Sequence, residues 1–540
     1  MMAYLNRDAP EGNGKMVTEA YNSILFTKGL LLNSDIDFKN LLKRAGDETL
    51  REKYKQLEKL MQNKNDYYKL PANQRNEAEL KQINEDIYQL ERALVRGCKE
   101  FGSFTENLSI TTSQVREALK DHEAAIEFTD IYIQGMGTTY LALLLRKDSD
   151  VPQLIRLFSD VDLKDITYQG MTFEQALKDE AGTNHIYNDP RFGSLLWQPI
   201  MRHLQGINTI YFSPSNMFYQ VGIEYLPCDA QHRIGDLYDL YRLSSTKSLA
   251  QRKPAGKIRS AVIYGGLVYD MDEAQLQEQH NKMLTEHPQE PTLLAYENVD
   301  APEYVAGMQR TLDSLSVRGS VHYLPGTRRE ASFIADQLFQ NGIEPQVFME
   351  NSGIEETFKR LGGTSPSIIH IATHGFSFSR SQIKERKDQL VFLNEQTDNL
   401  DNMLNYSGLL MSGANYRLRG NKLPKGLEDG ILTAREIAQV DLGNVGLVVL
   451  SACQTALGEV RSDGVFGIQR SFKKAGAHSI LMSLWQVSDE ATELMMTYFY
   501  KFLMEGKTRQ QAFKMAQKSI QDEHFTDPVY WASFILLDGI

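Results

Sequence analysis

Two rhythms of apolar and polar positions divide this chain. Residues 1–15 are polar and rich in Gly and Asn, the composition of a loose terminus. Residues 16–33 then carry one amphipathic helical stripe, which Asn33, Ser34 and Asp35 break. Between 47 and 97 the period is again helical. Tyr54, Leu57, Met61 and Tyr68 mark one face, and Leu80, Ile83, Ile87, Leu90 and Leu94 a second. Leu70–Pro71–Ala72–Asn73 interrupts the pattern, because proline cannot continue a helix, so an antiparallel helical hairpin is predicted. Its charged faces are read as solvated, with a docking arm for a partner as the alternative.

From Ile110 the rhythm shortens. Ile126, Phe128, Ile131 and Ile133 predict one strand and Tyr140–Leu145 another, joined by Gly135–Met136–Gly137. A helix at 191–204 and a strand at 209–212 follow, and the polar stretch 244–258 reads as a linker. Beyond it, apolar strands are predicted at 261–264, 368–373, 446–450, 479–484 and 533–537. They alternate with helices at 328–340, 465–475, 489–504 and 508–521, while 379–425 reads as long loops. Such alternation implies an α/β fold with a mostly parallel sheet flanked by helices. Three regions result: helical at 1–109, α/β at 110–250 and a larger α/β region at 251–540. No fixed-period repeat is visible.

Composition narrows the functional classes. A chain of 540 residues exceeds one ordinary core and predicts roughly two to four domains. Its net charge of −12 argues against direct nucleic-acid binding, since phosphate contacts need basic surface. No run of about 18 apolar residues predicts a membrane span, and the first residues do not resemble a secretory signal. A cytoplasmic location is the expectation. The three cysteines, Cys98, Cys228 and Cys453, are too widely spaced for a disulfide framework or zinc site. With neither phosphate loop nor dinucleotide fingerprint in the sequence, no cofactor or metal is expected.

Two predicted strands end in chemistry. One reads Ile368–Ile369–His370–Ile371–Ala372–Thr373–His374–Gly375, the other Leu447–Val448–Val449–Leu450–Ser451–Ala452–Cys453. Ligands of open α/β sheets bind beyond the carboxyl ends of strands. If the strands are neighbours, His374 and Cys453 meet at one rim. The imidazole could then accept the thiol proton and later protonate a leaving amine. The backbone N–H groups of Gly375 and Cys453 are candidates for holding the oxyanion, glycine allowing close approach. His370, deeper in the strand, reads as a packed core histidine. A cysteine at a buried strand end is more often an inert hydrophobe, so the pattern alone leaves the dyad open.

The stretches HIATHGF (370–376) and LSACQTALGEVRSDGVFGIQRSFKKAGAHSILMSLWQVSDEAT (450–492) resemble the CHAT domain, a caspase-like domain of the separase and caspase clan. The similarity extends through LPGTRREASFIADQL (324–338), EDGILTAREIAQVDL (428–442) and YWASFILLDG (530–539). It reaches upstream into 110–128 and 194–227, which resemble a caspase-like half lacking the dyad. The resemblance implies a caspase-like α/β fold for 251–540, a pseudo-caspase half at 110–250, and His374 and Cys453 as base and nucleophile. Segment 16–97 resembles the one that follows tetratricopeptide repeats in relatives, with no repeat array evident before it. By likeness to separases, Asp489 is a candidate acidic residue for a basic P1 side chain. The alternative is that Asp489 caps the helix after it. Glu459 and Asp463 are further candidates for that pocket, or solvated loop charges. Relatives imply a protein substrate, an activating protein partner, and roles in bacterial defence or regulated death, with gasdermins as one substrate class. The rival expectations are a non-catalytic scaffold of the same fold and a protease locked until bound.

Overall fold

The computed structural model describes residues 14–28, 110–252, 256–286, 320–364, 366–377, 404–424, 426–452, 458–461 and 464–540, together with scattered helical positions between 49 and 90; for 458–461 and 464–466 only the backbone is described. One eleven-stranded sheet organises these residues. Its strands are β1 (Glu123–Ile133), β2 (Gly137–Arg146), β3 (Gln153–Ser159), β4 (Thr209–Ser213), β5 (Asp239–Arg242), β6 (Ala261–Leu267), β7 (Pro345–Glu350), β8 (Ile368–Ala372), β9 (Leu447–Ser451), β10 (Ser479–Ser483) and β11 (Phe534–Leu537). Their order across the sheet is β3-β2-β1-β4-β5-β11-β10-β9-β8-β6-β7. Pairing is antiparallel at β3-β2, β2-β1 and β10-β11 and parallel elsewhere. This is the mostly parallel, helix-flanked sheet expected of a caspase-like α/β fold.

Continuous apolar runs form the central strands because both faces of the sheet are covered. Side chains alternate between two cores. Ala261, Ile263, Ile368, Leu447, Val449 and Leu481 enter the first. Val262, Tyr264, Ile369, Ile371, Val448 and Leu450 enter the second. The first is closed by α1 (Pro325–Gln340), α2 (Asp489–Met504) and α3 (Arg509–Glu523), through residues such as Ile334, Phe499 and Phe513. Each fully buried Leu or Ile here contributes about 1.5–3 kcal/mol. The regions before and after residue 251 share this sheet, since Leu537 of β11 pairs with Arg242 of β5.

Several expectations change on contact with the structure. The stretch 244–258 is not a plain linker. Thr246–Gln251 is a 3₁₀ helix with Thr246, Lys247 and Leu249 buried, and the Thr246 N–H donates to Glu127 at 2.6 Å. Within the predicted loops at 379–425, Ser407–Leu410 is a fully buried strand and Ala414–Leu418 a helix. The helix predicted from 465 starts at Ile468, because Gly464–Gly467 pairs with Gly458–Arg461 as a hairpin. Most of the predicted hairpin at 47–97 lies outside the described residues.

The first described helix, 14–28, closes the outer face of β1, β2 and β4 through Tyr21 and Leu25. Its last described residue, Lys28, is buried beside the middle of β1 and the carboxyl end of β4. There its ammonium donates to Glu127 (2.9 Å), Ser213 Oγ (2.9 Å) and the carbonyls of Phe128, Ser213 and Pro214. Burial is the main influence on this ammonium, lowering its pKa, and Glu127 opposes it. Lys28→Met is expected to destabilise helix docking by roughly 2–3 kcal/mol. A wholly orphaned buried partner would cost more, but Glu127 keeps donors from Ser245 and Thr246. Faster limited proteolysis near residue 28 in the variant checks this; an unchanged cleavage rate contradicts it.

Candidate active site

β8 and β9 are adjacent and parallel, with Ala372 paired to Ser451. His374 and Cys453 each follow this rung by two residues in sequence. The condition set by the sequence, neighbouring strands reaching one rim, is therefore met. Cys453 itself lies outside the described residues, as do Asp463 and the side chain of Glu459.

The His374 side chain is partly buried and held from two sides. Its Nε2 lies 2.7 Å from the carbonyl oxygen of His322. A carbonyl can only accept, so Nε2 carries the proton and the neutral ring keeps its lone pair on Nδ1. The Tyr269 ring packs against the imidazole at 5.2 Å between centroids. Tyr269 is fixed in turn by a 2.8 Å hydrogen bond with Thr373 Oγ1, which donates to the Leu410 carbonyl. Burial holds His374 below the ordinary histidine pKa. The hydrogen bond to His322 and the charge of Asp489 oppose that shift, and the His322 ring adds to it. The result is a neutral, oriented imidazole at physiological pH.

Gly375 opens a short strand, Gly375–Ser377, facing Ser407–Leu410. Gly375 lies opposite Leu409, while the Leu410 N–H donates to the His374 carbonyl. That alternation makes Gly375–Leu409 a non-hydrogen-bonded pair, so the ladder does not use the Gly375 N–H. The strand Ile431–Thr433 completes this small sheet.

Asp489 is exposed and is the first residue of α2; it does not cap the helix. Ser488 is the cap, its hydroxyl accepting from the Ala491 N–H, and this corrects the capping alternative raised for Asp489. The Asp489 side chain lies against Gly326, where a Cβ would meet its Cβ at 3.3 Å. Its charge reaches both His374 and Arg329. Arg329 is also paired to Glu493 at 2.8 Å.

Cys228 is excluded as a nucleophile. It is fully buried, and burial, its largest influence, pushes the thiol pKa up to about 11. Cys98 lies outside the described residues.

Beside the small sheet sits a charge cluster that sequence reasoning missed. The Lys359 ammonium contacts Glu355 (2.6 Å), Glu428 (2.9 Å) and Glu436 (3.2 Å). These carboxylate oxygens lie within 4.8 Å of one another, a spacing that suits a cation, and Lys359 supplies the cation. The four residues come from two distant stretches, 355–359 and 428–436, so their meeting carried no signal in the sequence. His322 was equally hidden, because it acts through its carbonyl and any residue type supplies one.

The sheet carries a histidine just past the carboxyl end of β8, the rim at which open α/β sheets bind ligands. The chain belongs to the CHAT domain family, whose model matches residues 191–539. Tetratricopeptide repeat protein 28 of Homo sapiens and that of Mus musculus are each 36% identical over 112 residues, 21% of this chain. The match spans 4% of the length of these relatives. Among solved structures, gingipain R, an Arg-specific cysteine proteinase, is similar at 8% identity and a TM-score of 0.34, covering 69% of each chain. The separase–securin complex of Saccharomyces cerevisiae is similar at 11% identity and a TM-score of 0.37, covering 99% of this chain and 42% of that one. No helix among the described residues is long and apolar enough to cross a membrane.

Proposed function

We propose that this protein is a cysteine endopeptidase with Cys453 as nucleophile and His374 as base. The observation that carries the reading is the pairing of Ala372 with Ser451, which sends both residues off one rung of the sheet. His374 Nδ1 accepts the thiol proton, since Nε2 is committed to His322. The thiolate sulfur bonds to the substrate carbonyl carbon, and the oxyanion is held by the N–H groups of Gly375 and Cys453. The imidazolium gives its proton to the amide nitrogen, the C–N bond breaks, and a thioester remains. His374 then deprotonates a water that releases the acid product and the thiol.

Asp489 selects a basic P1 residue in this reading. Its support is the charge it brings to the neighbourhood of His374 from the rim of α2. Glu459 and Asp463, on the hairpin after the nucleophile, are the other acidic candidates. The proposal extends, from the resemblance to CHAT proteases, to a protein substrate in a bacterial defence or regulated-death setting, gasdermins being one such class, and to a protein partner that switches the enzyme on.

A fluorogenic peptide panel varied at P1, run on wild type and Cys453→Ala, tests the proposal. Cleavage by wild type alone is expected, with Arg or Lys favoured. No cleavage of any peptide or protein substrate leaves the non-catalytic scaffold as the better reading. Asp489→Asn is expected to lower kcat/KM for P1 Arg by about 10-fold or more, with little change for apolar P1, as an exposed ion pair is worth little until substrate desolvates it. Equal losses for both substrates would remove Asp489 from the specificity pocket.

A further inference from the structure

Three stretches that carry the family resemblance, around Glu330, His370 and Ser451, meet in one buried polar network that the proposed chemistry does not use. Glu330 comes from α1, His370 from β8 and Ser451 from the end of β9. All three are buried, His370 fully. The Ser451 hydroxyl donates to Glu330 Oε2 at 2.9 Å. Glu330 Oε1 faces His370 Nε2 at 2.9 Å, an ion-pair contact without hydrogen-bond alignment. On the ring's other side, Tyr500 of α2 lies 3.3 Å from His370 Nδ1. Burial, and then the charge of Glu330, hold the Tyr500 phenol well above its ordinary pKa. Tyr500 therefore keeps its proton, and its hydroxyl and His370 Nδ1 share one hydrogen bond, while Nε2 faces Glu330.

The placement of these groups is specific. His370 lies four residues before His374 and Ser451 two before Cys453. Both point to the face of the sheet covered by α1 and α2. One carboxylate thus touches both strands that lead to the dyad. Three buried polar side chains in an apolar core cost stability wherever a methyl group would serve. Packing does not require them, and a glutamate bridging two strands fixes their relative height.

We propose that Glu330 is a positioning residue, which through Ser451 and His370 sets the relative placement of the β8 and β9 ends and so of His374 and Cys453. The inference rests on the dyad reading above. It makes no direct contact with substrate and works through two strands. Removing it misplaces the thiol and imidazole without altering substrate binding.

Ser451→Ala deletes one hydroxyl and Glu330→Gln keeps the shape while removing the charge. Each is expected to lower kcat by about 10- to 100-fold with KM within about twofold, the penalty of a sub-ångström to ångström misplacement. Ser451→Thr, which keeps the hydroxyl, is expected to recover most of the rate. If Glu330→Gln fails to fold, Tyr500→Phe removes only the hydroxyl bonded to His370 and is expected to lower kcat in the same sense. Cys453→Ala and His374→Ala are measured alongside. Activity surviving in those two defeats the dyad reading and this proposal with it. Activity lost there but full in folded Ser451→Ala and Glu330→Gln, or changed only in thermal midpoint, overturns this proposal alone.

Discussion

Cys453→Ala and His374→Ala are each expected to lower peptide cleavage by at least about 10³-fold while leaving the fold intact. Members of a nucleophile–base pair act as a unit, so losing either removes most of the rate, and their combined loss costs little more. What survives is the contribution of binding and oxyanion donors. The fold is expected to hold because His374 sits at the rim, outside both apolar cores. Its loss forfeits one hydrogen bond to His322 and a ring contact with Tyr269. The pH profile follows from the same geometry. The base works only when unprotonated, and burial holds His374 below the ordinary histidine value. Activity therefore persists as pH falls past that ordinary value and is lost through the lowered one. Asp489 opposes the lowering, so Asp489→Asn should carry the acid limb further down. Steady-state kcat/KM against pH checks both statements, and an acid limb above the ordinary histidine value contradicts them.

Lys359→Met is expected to cost about 3–5 kcal/mol of stability, the penalty for removing one partner of a buried ion pair. Three carboxylates converge on this one ammonium, and Lys359 and Glu355 are both buried. Glu355 also accepts from the Gly430 N–H, and Glu436 holds the N–H and hydroxyl of Thr433. The cluster therefore ties the helix Glu355–Lys359 to the strand Ile431–Thr433, which shares its sheet with Gly375. Burial raises the Glu355 carboxyl well above its ordinary value, Lys359 lowers it, and Glu436, Glu428 and Asp429 raise it again. Without the ammonium that carboxyl rises further. A carboxyl raised in the folded state binds more protons there than when unfolded. Stability then falls as pH climbs from the unfolded value through the raised one. The variant should thus recover stability in mildly acidic buffer. Denaturant midpoints at acid and neutral pH measure this, and an equal deficit at both would contradict it.

The strands that matter most were readable because burial on both faces leaves an unbroken apolar run, as in Leu447–Leu450 and Ile368–Ile371. β3 and β7 were not. Gln153–Ser159 and Pro345–Glu350 are edge strands with partly exposed faces, so polar residues break their alternation. The stretch 244–258 looked like a linker because it is basic and holds a proline. Its 3₁₀ turn is fixed by Glu127, a partner more than a hundred residues away. His374 was marked by its place at a strand end. The atom that orients it was not, since a backbone carbonyl leaves no trace in side-chain pattern. His370 was read as a core histidine and is fully buried, but its partners Glu330 and Tyr500 come from distant helices. Periodicity reports one element at a time, and long-range polar pairing falls outside it.

The central claim is that one thiol and one imidazole act together at the ends of β8 and β9. Its most direct measurement is the rate of iodoacetamide alkylation at Cys453 against pH, read by peptide mass mapping in wild type and His374→Ala. Cys228 is too deeply buried to interfere. Wild-type Cys453 is expected to react with a midpoint clearly below the roughly 8.5 of a free thiol, and His374→Ala to return it toward that value. Superimposable profiles near 8.5 for the two proteins would contradict the account.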